Sequence, residues 1–411
     1  MHAPTPGPAT QRAADLAALG LALLVGALLA STLASVRYVE NPDEAYYLAY
    51  AGYIAEHGLA GFRSLFHDYL AEPARWLYPN PLRLGYILLS SGWTSLFGAS
   101  FAALSLLSLV CHVLLVGVSY LFLRGLLGPP RALAGAALIA FSPLLLGLGR
   151  RALLDLPATL AGLLVLWSFV ALLRAPRSRP ALARFGAALG AGLLIKETTL
   201  LLALPCAAIC ASERLAGRRD LPLLAASGAL AAALLSCGAL WWLAAGDAAT
   251  LAGVVRVILA SPARNASAQA YGTGPWYRYP IDFLLLSPWP TLLGIAALGP
   301  AALRSVRRAP GDAVVWLALA LAGVLVAYEP FTRNVRYVAI CEVPLRALAA
   351  GLVFDLTRAD ASRRGLALAA AAVALLCFAD WLSFRQIFVE AALYDPMTAA
   401  LLFLRGLSPH P

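Results

Sequence analysis

The chain has 411 residues, of which 61% are hydrophobic and only 13% charged, against roughly 25% charged in a soluble domain. With a mean hydropathy of +0.78, it has more apolar surface than an aqueous core can hide, so lipid must solvate much of it. A soluble enzyme, a disordered chain, a collagen-like repeat and a small disulfide scaffold are all excluded. The net charge of +10 does not point to nucleic acid, because the one lysine is Lys196 and the arginines fall in short clusters between apolar runs. Such clusters suit membrane topology and anionic headgroups. The six cysteines lie in or beside apolar stretches, with neither metal-ligand spacing nor a loop-borne disulfide framework.

A membrane crossing needs about 20 mostly apolar residues. A cytoplasmic N-terminus, residues 1–15, precedes a transmembrane region over 16–382, and 383–411 form a short outer-face segment. The first span covers Leu16 to Val36, too long and too poorly flanked for a cleaved signal peptide. Further runs lie near 100–123, 132–149, 156–173, 185–195, 198–212, 222–245, 281–303, 313–328, 338–356 and 365–382, giving about eleven spans. The expected fold class is an all-α polytopic transmembrane bundle. With the N-terminus inside and residues 82–98 lying on the outer surface, every cytoplasmic connection is basic: Arg124 and Arg131, Arg174 to Arg184, Arg214 to Arg219, Arg304 to Arg308, and Arg358 to Arg364. Letting 82–98 span instead would put those clusters outside.

The first outer loop, 37–99, opens Asn41-Pro42-Asp43-Glu44-Ala45-Tyr46-Tyr47. Asn41 suits an N-cap, Pro42 the first helical position, and Glu44 a capping box. Asp43 points about 100° away from Glu44 around the helix and is open either to dipole compensation or to a cavity. Tyr46, Tyr50 and Tyr53 make a phenolic stripe suited to an interfacial belt or to sugar stacking. Tyr78-Pro79-Asn80-Pro81-Leu82-Arg83 then breaks the chain before an apolar helix ending at Gly98. His57 and His67 read as solvated loop residues or as weak metal ligands.

Later charges gather on the same side: Arg150, Arg151 and Asp155, Lys196-Glu197, the 246–280 loop, and Glu329 to Arg336. Ionisable groups this near membrane depth mark sites and pathways. Asp155 suits either a helix cap or a site; Lys196 suits a helix break or an anion contact. Arg333 and Arg336 can pair with Glu329 and Glu342. Trp276 and Tyr277 can anchor an interface or engage a sugar. Asn265-Ala266-Ser267 matches a glycosylation sequon, which is uninformative alone.

Pro42-Asp43-Glu44 after the first span, Tyr78-Pro79-Asn80-Pro81-Leu82, Leu154-Asp155-Leu156-Pro157 and Gly192-Leu193-Leu194-Ile195-Lys196, in that order over about residues 16–210, resemble the GT-C membrane glycosyltransferases. The nearest groups look like the protein O-mannosyltransferase and lipid A aminoarabinose transferase families. The resemblance implies a GT-C-like fold, with Asp43 as catalytic base and Glu44 and Asp155 in the same site. It also implies Lys196 near a lipid phosphate, and an outer-face reaction in the plasma (inner) membrane. Glu197-Thr198, where many relatives have glycine, departs from the pattern and puts the details of phosphate contact in doubt.

The implied donor is a polyprenyl-phosphate sugar, and the acceptor a lipid, glycan or protein. Arg150, Arg151, Arg333, Arg336, Lys196 and Arg83 are candidate substrate or phosphate contacts, with Tyr46, Tyr78, Trp276 and Tyr277 as aromatic ones. A divalent metal is left open, since no spacing demands one. The rival reading is a transporter or flippase of a lipid-linked or anionic solute, which would favour internal repeats and midplane polar groups; no clear repeat is visible.

Overall fold

The computed structural model describes residues 8–38, 42–264, 272, 274–306 and 310–393. Asn41, the Asn265-Ala266-Ser267 sequon and most of the expected C-terminal segment lie outside them. Every regular element among the described residues is helical. In chain order these are α1 (Pro8–Ala30), α2 (Pro42–His57), α3 (Gly61–Ala71), α4 (Leu84–Phe97), α5 (Phe101–Leu127), α6 (Pro129–Ala140) and α7 (Pro143–Gly149). Next come α8 (Asp155–Arg174), α9 (Arg179–Ile195), α10 (Ala203–Leu215), α11 (Leu223–Ala245) and α12 (Ala248–Arg264). The last six are α13 (Arg278–Leu286), α14 (Pro288–Ala296), α15 (Leu298–Val306), α16 (Ala313–Tyr328), α17 (Glu342–Thr357) and α18 (Arg363–Phe384).

Seven helical segments are long and apolar enough to cross a membrane, so the chain is an integral membrane protein. They are Gln11–Ser35, Phe101–Leu127, Asp155–Arg174, Glu197–Leu215, Leu223–Ala245, Val335–Thr357 and Arg363–Glu390. An eighth forms if α6 and α7, bent by 57° at Pro143, count as one. Ser142 caps the second half of that pair through Leu145 N–H. All eleven apolar runs expected to span are helical, and three of them fall short of that length. Residues 179–195 and 313–328 form helices of 17 and 16 residues, and the 281–303 run is cut into short helices. Non-helical Ser287 followed by Pro288 makes one of those cuts.

The basic loops converge at one end of the bundle. Arg124 pairs with Asp15 at 2.6 Å, and Arg131 pairs with Asp355 at 2.7 Å and with Asp360. Asp43, Asp155 and Lys196 sit at the opposite helix ends. Between the two ends lies a buried ion network. The Arg346 guanidinium donates to Glu342, to Asp380, to the Leu138 carbonyl at 2.9 Å and to Ser287 Oγ at 3.0 Å. Ser287 in turn donates to Asp380 at 2.8 Å. A cation this deep is tolerable only when paired and hydrogen-bonded.

Around the Asp43 end, α2, α3 and α12 enclose a small apolar cluster of their own, with Phe62, Phe66, Tyr69 and Val254 buried. Here the tyrosine stripe is resolved into packing. Tyr50 is buried and its hydroxyl donates to the Pro79 carbonyl at 3.0 Å. Tyr53 stacks on His57 at 4.2 Å.

Candidate active site

Asp43 and Glu44 start the same helix and part company. Glu44 is fully buried. Its Oε1 accepts from Arg151 Nε at 3.0 Å and from the Ala152 N–H at 2.7 Å, and its Oε2 from Arg151 Nη2 at 2.6 Å. Burial pushes the Glu44 carboxyl above its ordinary value, against the pull of Arg151. Glu44 therefore ties α2 to the turn before α8. Its carboxylate is turned to Arg151 and Ala152 and away from the Asp43 cluster, so it braces the fold beside the residues it was expected to join. Arg151 is a brace with it, donating also to the Arg37 carbonyl at 3.0 Å.

Asp43 faces the other way. Its Oδ2 accepts from Arg336 Nη2 at 2.9 Å, and about a quarter of the side chain (24%) stays exposed. Arg336 also approaches Asp155, with Nη1 4.0 Å from Oδ2, while Lys196 Nζ donates to Asp155 Oδ1 at 3.0 Å. Asp155 therefore does not cap α8; its carboxylate is committed to the two cations. Both cations also sit over the Tyr337 ring, Lys196 Nζ 4.8 Å and Arg336 Cζ 5.4 Å from its centroid. The result is an alternating chain, Asp43–Arg336–Asp155–Lys196, drawn from four separate segments.

Lys196 reaches this cluster because α9 ends on it in an extended conformation, φ −151° and ψ 120°. Its neighbour Glu197 points elsewhere, accepting from Asn80 Nδ2 at 3.0 Å and from Arg83 Nε and Nη2 at 3.4 Å each. Arg83 also donates to the Tyr47 hydroxyl; burial holds that phenol well above its usual range. Asn80 Oδ1 accepts from the Leu82 N–H at 3.1 Å. The Lys196-Glu197 pair thus holds the two walls of the site, α8 through the lysine and the Tyr78–Arg83 segment through the glutamate. Tyr46 and Tyr78 stack with centroids 4.4 Å apart.

Other expected residues lie apart from this cluster. Arg150 turns away from Asp43 and donates to Thr32 O at 2.8 Å, Ser35 Oγ at 2.6 Å and the Phe388 carbonyl, because consecutive residues of the turn point to opposite sides. Arg333 pairs with Glu329, four residues before it. Glu342 pairs with Arg346, leaving Arg336 to Asp43 and Asp155. Trp276 and Tyr277 are exposed and pack edge to face with each other at 5.8 Å. Among the described residues no group of three or more His, Cys, Asp and Glu is arranged to hold a metal ion. Reading the residues alone gave Glu197 no partner and did not single out Tyr47 or Tyr337. The signals were an acid beside the only lysine and tyrosines next to charged motif residues.

A family model for dolichyl-phosphate-mannose-protein mannosyltransferase matches residues 81–255. No curated protein matches the chain in sequence. ArnT from Cupriavidus metallidurans, solved bound to undecaprenyl phosphate, is similar in structure with a TM-score of 0.60 at 16% identity, over 91% of this chain and 68% of that one. The oligosaccharyltransferase of Archaeoglobus fulgidus, solved in complex with Zn and sulfate, gives 0.58 at 14% identity over 90% of this chain. Archaeal oligosaccharyltransferase AglB from Archaeoglobus fulgidus, solved with an inhibitory peptide and a dolichol-phosphate, gives 0.55 at 15%. This chain spans about half, 52%, of the length of the first oligosaccharyltransferase structure. In fold, and over residues 81–255, the chain resembles the GT-C membrane glycosyltransferases.

Proposed function

We propose that this protein is a membrane glycosyltransferase that moves a sugar from a polyprenyl phosphate to an acceptor hydroxyl or amine. The reaction takes place at the outer face of the plasma (inner) membrane, with the N-terminus in the cytoplasm. The observation that carries this reading is the Asp43–Arg336–Asp155–Lys196 cluster. A partly exposed carboxylate there pairs with Arg336, which shares the face of one aromatic ring with Lys196. Solved neighbours bound to undecaprenyl phosphate or dolichol-phosphate support the donor class.

The acceptor oxygen or nitrogen attacks the anomeric carbon while the bond from that carbon to the phosphate oxygen breaks. The electron pair leaves with the polyprenyl phosphate, and the acceptor proton passes to Asp43. Arg336 and Lys196 stabilise the charge that grows on the phosphate, Arg336 with a bidentate fork and Lys196 as a point charge. In-line attack inverts the anomeric centre. Asp155 holds both cations in place between turnovers, and the Tyr46–Tyr78 pair offers the sugar an aromatic wall.

The test is incubation of the purified protein with a panel of polyprenyl-phosphate sugars and acceptors, reading the release of lipid phosphate. Asp43→Asn keeps shape and removes the base, so transfer should fall by roughly 10²–10⁴-fold in a protein that still folds. Undiminished transfer by that variant removes Asp43 as the base. Silence of the native protein across the panel removes the transferase reading.

A further inference from the structure

The site holds a second exposed carboxylate that the transfer step leaves without a task. Of the four acids described there, Glu44 and Asp155 have buried side chains, whereas those of Asp43 and Glu197 are 24% and 23% exposed. The grip of their cations differs as well. Asp43 lies 2.9 Å from Arg336, Glu44 2.6 Å from Arg151 and Asp155 3.0 Å from Lys196. Both contacts of Glu197 with Arg83 are 3.4 Å, longer than the roughly 2.7–2.9 Å of a charge-assisted bond. Its shorter bond comes from the Asn80 amide, at 3.0 Å. Glu197 is thus kept in place mainly by a neutral donor, with a carboxylate that its cation holds loosely.

Arg83 complements it. Its side chain is partly exposed, and its described bonds, to Glu197 and to the Tyr47 hydroxyl, use three of its five N–H groups. Tyr47 lies one helical turn beyond Asp43 on α2. Burial works against the Arg83 charge, but Glu197, Tyr47 and Asp43 hold it well above its ordinary range, so the Asp43 carboxylate is within electrostatic reach. Asn80 and Arg83 also share the Tyr78–Arg83 segment with the Tyr46–Tyr78 stack. A carboxylate that accepts, beside a guanidinium that donates, matches two adjacent hydroxyls on one ring. One hydroxyl gives its hydrogen to Glu197, and the oxygen of the other receives an Arg83 N–H.

Taking the donor proposed above as given, we propose that Glu197 selects its sugar, a neutral ring whose adjacent free hydroxyls are held between Glu197 and Arg83. With the donor phosphate at Lys196, the next residue along the chain is Glu197, about 3.8 Å away from Cα to Cα, so the sugar joined to that phosphate meets it. A uronic acid would set a second carboxylate against Glu197. An ammonium-bearing sugar would gain Glu197 but face Arg83, Lys196 and Arg336. Like charges brought together across a contact are costly, and choice is set by such rejection as much as by attraction.

The experiment measures binding without turnover, on the full purified chain in neutral detergent with no acceptor. The probes are undecaprenyl phosphate alone and the same lipid carrying glucose, mannose, galactose, glucosamine or glucuronic acid. At least one neutral hexose should raise affinity over the bare lipid by about tenfold or more, the worth of a hydrogen bond to a charged group, and the two charged sugars should not. Glu197→Gln keeps the shape and should weaken the preferred hexose lipid about tenfold more than the bare lipid. On the native protein, a deoxy analogue lacking the contacted hydroxyl should bind as weakly as the hexose does to the variant. That analogue should lose nothing further to Glu197→Gln, because the two changes remove one contact. Equal loss for bare and sugar-bearing lipid overturns the proposal, since a purely structural clamp would give it. So does glucuronic acid bound as well as the best hexose, or a deoxy series on the native protein with no weakened member. Turnover of any donor alongside those outcomes leaves the transferase reading standing. Native protein that neither prefers a sugar-bearing lipid nor turns one over removes both.

Discussion

Asp43 and Glu44 are chemically alike and one position apart, yet the fold turns one, partly exposed, to Arg336 and locks the other in a dry clamp. For Glu44 the consequence can be measured. Its carboxyl is raised by burial, so the folded chain binds that proton more readily than the unfolded one. The stability it contributes is therefore full below the unfolded value, about 4.3, and is lost as pH rises through the raised folded value. Across that window the melting midpoint in detergent should fall more steeply with pH for the native protein than for Glu44→Gln, whose amide does not titrate. Superimposable slopes would mean that Glu44 is not held in the way described. The pair itself was legible in the sequence, but its division of labour was not. An Asp-Glu dipeptide at a helix start specifies two directions and not what waits in each; Arg151 and Arg336 come from residues more than a hundred positions away.

Among the elements, the break between α9 and the Glu197–Leu202 turn does most to shape the site. The apolar runs near 185–195 and 198–212 located both flanking helices. They could not say that Lys196 and Glu197 would face opposite walls, because that depends on one extended residue. The break is also sensitive to its neighbours. A Cβ added at Gly85 would lie 3.0 Å from Leu194 backbone and side-chain carbons, so α4 can approach the end of α9 only without a side chain there. Gly85→Ala should cost about 1–3 kcal/mol by overpacking, and should reduce transfer further by shifting Glu197 away from Asn80 and Arg83. Calorimetry together with the transfer assay checks this, and an unchanged midpoint with full transfer would show the contact to be slack. Helix breaks were the weakest part of the sequence reading. Hydropathy averages across Ser287-Pro288, and so the 281–303 run read as one span where the chain makes three short helices.

At the scale of the whole molecule, the alternation of basic and acidic-aromatic loops did reveal which helix ends lie together, because loop charge governs orientation. Arg124, Arg131 and Arg304 do gather with their acids at the end away from Asp43. The six native cysteines are buried, so introduced thiols can be read against a quiet background. A membrane-impermeant maleimide should label Glu56→Cys in intact cells and Arg177→Cys only after permeabilisation. The opposite pattern would put the Asp43 cluster on the cytoplasmic side, where the outer-face reaction could not occur.

The ion network around Arg346 also bears on how the polypeptide is made. Helix α17 carries its own ion pair, Glu342 with Arg346, whereas the Asp380 carboxylate of α18 finds its cation, Arg346, only on α17. A charge stranded at the centre of a lone helix costs about 2.5–3.5 kcal/mol on insertion scales. Helix α18 should therefore settle in hydrocarbon only against an α17 already in place, which makes its docking a late checkpoint in biogenesis.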